Sequence, residues 1–318
     1  MFRLCPDLLN TEHEPASFAQ AFATVHGPSV CVFAIRVNDA AQAYKELLKK
    51  GAEPYQGFIG PMELNIPAIQ GIGRSLLYLV DRYEDKSIYD VDFVEIVDST
   101  QNPTGVGLID IDHLTHNVHK DRMDEWTQFY ERLFNFRETR YFDIKGQKTG
   151  LHSRAMTSPC DKIRIPINEP TDQQSQIQEY LDAYYGEGIQ HIALVSEDIF
   201  STVEVLREQG MRFMTVPDTY YEMLNERIPG HGEDLERLKQ DRILIDGNPK
   251  DGQGLLLQIF IETVIGPIFF EIIQRKGNEG FGVISPRVLV SCTVNLRAHF
   301  HRLRLHRMNW VMPGMVVR

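Results

Sequence analysis

Three side chains in this sequence have the types to hold a metal ion together: His113 in IDHLTHNV, His191 in GIQHIALV and Glu271 in FFEII. Two imidazoles and one carboxylate make the facial donor set that suits Fe(II) and leaves positions open for substrate and oxygen. Glu271 is the sharpest of the three, because it is lodged among Ile268, Phe269, Phe270, Ile272 and Ile273. A buried unpaired carboxylate costs several kcal/mol, so this one calls for a cation, a proton or a route to water. Spacing adds little, since the residues are 78 and 80 apart in a chain with 11 histidines. Read singly, each has a plainer role: a glutamate pointing out of its strand, a surface or structural His113, a satisfied core His191. His116 and His119 compete with His113. Strand alternation puts His116 on the opposite face, and His119 falls at the polar turn before a helix.

Each candidate lies on a predicted strand. Gly254–Arg275 reads as two strands joined at Gly266-Pro267, with Phe269, Glu271 and Ile273 on one face and Gln258 and Phe260 sharing a face of the neighbouring run. His113 lies in a strand over Leu108–Val118 and His191 in one over Gly188–Val195. Between them the sequence predicts a helix with the stripe Met123, Trp126, Phe129, Tyr130, Leu133 and Phe134, which is core spacing. Short strands follow at Glu138–Ile144, Gly150–Met156 and Lys162–Ile167, then a helix around Ile177, Tyr180, Leu181 and Tyr184. Earlier in the chain, Ser29–Val37, Leu76–Val80 and Asp90–Ile96 read as strands and Ala40–Lys50 as a helix closed by Gly51. The turn-rich stretch Asp98–Gly107 reads as a domain boundary.

An internal repeat organises these elements. Gly27–Gly51 lies over Gly186–Gly210 at a constant offset of 159, matching Ala34 to Ala193, Asp39 to Asp198 and Leu47 to Leu206. Further on, Leu76-Leu77 aligns with Leu256-Leu257, and Phe93–Ile96 with Phe269–Ile272, so that Glu95 falls on Glu271. The expected fold is α+β, built from duplicated βαβββ units. Val32 stands in the place of His191, so a metal site belongs to the second half.

Composition narrows the partners. A net charge of −11 argues against nucleic acid or an anionic membrane as partner. Residues 281–318 hold six arginines and no lysine or acid, so a tail of +6 leaves −17 on the first 280. No apolar run approaches the roughly 20 residues of a spanning helix, and the start is too weakly apolar for a secretory signal, so the expected address is cytoplasmic. Cys5, Cys31, Cys160 and Cys292 are scattered without metal-site spacing and read as reduced thiols.

From about Thr11 to Gly282 the sequence resembles the bacterial 4-hydroxyphenylpyruvate dioxygenases, iron enzymes of tyrosine and phenylalanine catabolism with the vicinal-oxygen-chelate fold. The stretches HGPSVC, GPMELNIPAI, IDHLTHNV, LFNFRETRYFDIKG, IRIPINEP, GEGIQHIAL, GMRFMTVPDTYYEML, LLLQIF and FFEIIQRKG carry the likeness in order. The resemblance implies two open barrel-like domains, a non-catalytic one over 1–100, incomplete at its start, and a catalytic one over 101–282. It implies one Fe(II) on His113, His191 and Glu271. It assigns substrate positioning to Ser153, Asn168, Gln176, Gln190, Gln258, Phe260 and Phe269. The implied substrates are an aromatic 2-oxo acid, 4-hydroxyphenylpyruvate, and O₂, giving homogentisate and CO₂ in a homo-oligomer, a dimer or tetramer.

Residues 283–318 depart from the family, which has Gly-Asn-Phe and an acidic lid helix there. Codons for Val283-Ile284-Ser285, shifted by one base behind a GGG glycine, can spell Gly-Asn-Phe, and the basic tail therefore reads as a frameshift product. The missing phenylalanine lies where hydroxymandelate synthase and homogentisate-forming enzymes diverge, so that synthase is the near alternative, and a catalytically inactive remnant of the family the further one.

Overall fold

The computed structural model describes Asn10 and residues 17–59, 63–83, 87–95, 104–145, 150–280 and 315–317. Helix α1 (Phe18–His26) starts at Ser17, whose hydroxyl accepts from the Gln20 amide. Strand β1 (Val32–Arg36), helix α2 (Ala40–Lys49) and strands β2 (Pro54–Tyr55), β3 (Ala68–Gln70) and β4 (Leu76–Val80) form a four-stranded sheet in the order β1-β4-β3-β2, with β1 and β4 parallel. Helix α2 begins where the Asp39 carboxylate caps the Gln42 amide and stops at Gly51, whose φ of +86° suits a residue without a Cβ. Next come α3 (Tyr89–Asp92) and β5 (Phe93–Glu95). The strand expected over Asp90–Ile96 is thus shorter: the Asp90 carboxylate accepts from the amide and hydroxyl of Ser87 and closes a helical turn ahead of it.

The second part begins with β6 (Leu108–Asn117), α4 (Met123–Phe134), β7 (Arg137–Lys145), β8 (Gly150–Thr157), β9 (Arg164–Pro170) and α5 (Gln176–Tyr184). It continues with β10 (Gly188–Ser196), α6 (Ile199–Glu208), α7 (Asp218–Glu222), α8 (Leu224–Arg227), α9 (Leu235–Asp241), β11 (Leu244–Gly247), β12 (Leu255–Phe260) and β13 (Phe269–Lys276). Its strands form an eight-stranded sheet in the order β11-β12-β13-β10-β6-β9-β8-β7. Strands β9, β10, β12 and β13 each pack one face outward under the helices. Ile165, Ile167 and Ile189 meet Met123 and Tyr130 of α4, while Leu257, Ile259 and Ile272 meet Ile199 and Val203 of α6. The other face is left to carry the site.

The topology repeats three times among the described residues. In β1-α2-β2-β3-β4, in β6-α4-β7-β8-β9 and in β10-α6-β11-β12-β13, the first strand pairs in parallel with the last and the order is first, last, third, second. This corrects the alignment of the later strands. The counterpart of β13 is β4, because β4 lies parallel to β1 as β13 lies parallel to β10. Register then places Tyr78, the partner of Ala34, where Glu271 partners Ala193. Glu95 lies instead on β5, outside the four-stranded sheet. The first unit lacks both the histidine and the carboxylate at these positions.

The two sheets share a core across α4, where Leu133 packs with Ile35, Leu77 and Leu79. At the expected boundary, residues 96–103 lie outside the described residues, while the Val106 carbonyl accepts from the Thr202 hydroxyl at 2.7 Å. Of the tail, residues 281–314 and 318 lie outside the described residues, as does the start, residues 1–9. Strand β14 (Met315–Val317) runs antiparallel to β5.

Candidate metal centre

Strands β6, β10 and β13 are neighbours, and each contributes one of the three candidate ligands. Ala193 of the middle strand pairs with His113 on one side and Glu271 on the other, and His191 stands two residues away on the same face. One donor atom from each of His113, His191 and Glu271 lies within 4.8 Å of the other two. His113 Nε2 is 3.2 Å and His191 Nε2 3.3 Å from the same oxygen, Glu271 Oε2. Glu271 is 4% exposed, so the outward-pointing reading of this residue does not hold.

The unengaged ends of both rings are fixed. The Asp112 carboxylate accepts from His113 Nδ1 at 2.8 Å, and the Gln190 amide oxygen accepts from His191 Nδ1 at 3.3 Å. Carboxylate and amide oxygens only accept, so a neutral ring in either position carries its proton on Nδ1 and turns the Nε2 lone pair toward the other donors. Thr115 Oγ1, 2.9 Å from His191 Nε2, touches the same spot. Burial disfavours charge on His113, but its bonds to Asp112 and Glu271 outweigh that and raise its pKa. Burial likewise works against the Glu271 anion, and the two histidines overcome it, lowering its pKa to about 2. Burial, with His113 nearby, lowers that of His191. Without an ion between them, these contacts would favour an anionic Glu271 beside a protonated His113.

The donors fit a single divalent ion. Ligands at about 2.1 Å and right angles stand about 3 Å apart, close to the two nitrogen–oxygen separations found here. An ion would displace the His113 proton and satisfy the buried carboxylate.

The walls divide by chemistry. Phe269 stacks on the His191 ring with centroids 4.8 Å apart, and Phe260 meets Phe269 edge-on at 5.9 Å. Met214, Val216 and Leu244 join them in an apolar cluster. Gln258 shares the Phe260 face and is buried. On the far side Ser153, Asn168 and Asn117 stand in register on β8, β9 and β6, with the Asn168 amide donating to Asn117 Oδ1 at 3.4 Å. Gln190 lies beside His191. Gln176 stands apart from the sheet, half-buried at the first turn of α5.

His116 points to the opposite face as alternation requires, buried with Nε2 2.7 Å from the Tyr130 hydroxyl. His119 lies beyond β6, where its amide donates to Glu187. Sequence reading missed Asp112, Thr115, Asn117, Ala193 and Arg275. Alternation could have found most of them, since Thr115 and Asn117 share the His113 face and Arg275 the Glu271 face.

Residues 6–94 match the family model described as hydroxyphenylpyruvate dioxygenase, HPPD, N-terminal, and residues 110–227 that of the glyoxalase/bleomycin resistance protein/dioxygenase superfamily. A 4-hydroxyphenylpyruvate dioxygenase of Pseudomonas aeruginosa is 59% identical over 84% of this chain and 75% of its own length. The chain belongs to the 4-hydroxyphenylpyruvate dioxygenase family. A Vibrio vulnificus relative named hemolysin VllY is 63% identical over 85% of this chain and 76% of its own. Among solved structures, a mutant 4-hydroxymandelate synthase of Streptomyces coelicolor superposes with a TM-score of 0.77 over 90% of this chain and 82% of that one, at 24% identity. That likeness concerns the fold alone, which is the vicinal-oxygen-chelate arrangement of βαβββ units.

Proposed function

We propose that this chain is an Fe(II)-dependent 4-hydroxyphenylpyruvate dioxygenase, converting 4-hydroxyphenylpyruvate and O₂ to homogentisate and CO₂. The observation that carries the reading is the meeting of two imidazole nitrogens and one buried carboxylate oxygen on a single sheet face, in a chain so similar to a named dioxygenase. His113, His191 and Glu271 would hold the iron, which when bound supplies the open positions where the 2-oxo acid and oxygen react. No separate reductant is required, because loss of CO₂ from the 2-oxo acid provides the electrons.

The remaining residues act by placement. Phe269 and Phe260 form an apolar wall against the substrate ring and keep water from the centre, and the stacking of Phe269 also fixes the plane of His191. Ser153, Asn168 and Gln258 present polar groups that orient the ends of the substrate, with Gln190 and Gln176 in the same role. No general acid or base is needed among them. We include assembly into a dimer or tetramer and a cytoplasmic address in the proposal. Among the described residues no helix is long and apolar enough to cross a membrane.

Oxygen uptake on mixing the Fe(II)-loaded chain with 4-hydroxyphenylpyruvate tests this, with the product identified by chromatography. Homogentisate is expected. 4-Hydroxymandelate would transfer the chain to the synthase reaction, and no uptake by iron-loaded protein would leave it an inactive member of the family.

A further inference from the structure

Both ring nitrogens of His113 are tied to β13, one directly through Glu271 and the other through Asp112 of its own strand. Its Nε2 faces Glu271 of β13 at 3.2 Å, while its Nδ1 donates to Asp112, which is itself gripped by Arg275, four residues beyond Glu271 on the same strand face. The grip is a two-pronged fork: Arg275 Nε donates to Asp112 Oδ2 and Nη2 to Oδ1, both at 2.8 Å. The other terminal nitrogen, Nη1, donates to the carbonyls of Asn278, at 2.8 Å, and Gly280. Arg164 adds a longer contact to Asp112 at 3.4 Å and reaches Glu279 at 2.9 Å. The Asp112 side chain is 1% exposed and that of Arg275 9%, so neither is a solvated surface charge.

We propose that Asp112 and Arg275 form a positioning unit that sets the tautomer and ring plane of His113 for metal ligation and ties both to the turn at Asn278–Gly280. This rests on the assignment of His113, His191 and Glu271 as ligands. The fork fixes the Asp112 carboxylate in a plane, as a lone ammonium would not. Fixed in that way, Oδ1 accepts the Nδ1 proton along one direction and leaves the Nε2 lone pair for the ion. An asparagine at 112 can turn its NH₂ to Nδ1 instead, driving the proton to Nε2 and removing the donor.

Asp112→Asn and Arg275→Lys in the full chain test the unit, with Co²⁺ titrated by visible absorbance and thermal melting followed in chelator. Both variants are expected to melt cooperatively, to bind Co²⁺ about 10- to 100-fold more weakly, and to show shifted ligand-field bands. The double variant is expected to lose little more than either single one, because the two residues act through the same bond. A cooperatively folded variant with unaltered affinity and bands would overturn the proposal. So would failure of both variants to fold, which would make the pair a fold element rather than a positioning unit. Failure of the unaltered chain to bind Co²⁺ would instead remove the metal assignment, and this inference with it.

Discussion

His113 and Glu271 meet across Ala193. Each pairs in register with that alanine from opposite sides, and their donor atoms close to 3.2 Å above it. A methyl group is all that the middle strand places between two ligands, and it is fully buried. Ala193→Val would put two more carbons there, with overpacking of about 1–3 kcal/mol. If the loaded centre bears that strain, metal affinity falls roughly 10- to 100-fold. Equilibrium dialysis against Co²⁺ measures it, with Ala193→Ser, which adds one atom, expected to stay closer to the unaltered chain. Equal affinity in the valine variant would mean that the ligands do not close over this residue.

His191 of β10 and His116 of β6, on opposite faces of the sheet, are expected to separate by function. His191→Ala removes a donor and should abolish metal binding, while His116→Ala should leave most of it, because His116 faces α4. The second substitution acts on stability, orphaning the Tyr130 hydroxyl and opening a cavity, together about 2–4 kcal/mol. Dialysis and urea unfolding on both variants give the comparison. Equal losses of metal would overturn the choice of ligands.

Much of this was legible in the sequence because strand alternation has a period of two and needs no tertiary information. It put His116 behind the sheet, Glu271 with Phe269 and Ile273, and Gln258 with Phe260. The equal caps Asp39 and Asp198 and the stops Gly51 and Gly210 exposed the repeat for the same reason. The alignment failed at Glu95, where similarity of the local string Phe-Val-Glu-Ile to Phe-Phe-Glu-Ile competed with sheet order, which is a long-range property. Likewise the third copy of the unit, β6 to β9, shares topology without an obvious shared string. Arg275 was hidden differently: its partner, Asp112, is 163 residues away, and only folded strands bring them together.

Gly73 locks the first unit to the strand that carries His191. Its φ is +56°, and a Cβ there would sit 1.9 Å from the Glu187 carbonyl oxygen, just before β10 begins. The obstacle is backbone, which cannot swing aside as a side-chain tip does. Gly73→Ala must therefore move the turn or the strand, at about 3 kcal/mol or more from strain and lost packing. Melting should fall by roughly 6–12 °C. Because Glu187 also accepts from the Trp126 indole at 2.9 Å, the loss should spread to α4. Hydrogen exchange around residues 119–127 that stays unchanged in the variant would count against this coupling.

His116 predicts an acid-side loss of stability independent of the metal. Burial lowers its pKa from the unfolded value of 6.5 to about 3, so between those values the unfolded chain binds a proton that the folded chain refuses. Its contribution is constant above about pH 6.5 and becomes destabilising as pH falls, by about 1.4 kcal/mol per unit. His116→Gln keeps a partner for Tyr130 and removes the titration. Urea unfolding in chelator at about pH 7, 6 and 5 should show the unaltered chain losing stability more steeply than the variant, with the gap opening only below pH 6.5. Parallel losses in the two proteins would show that the folded state admits a proton at His116, and that the face behind the metal strands is open to water.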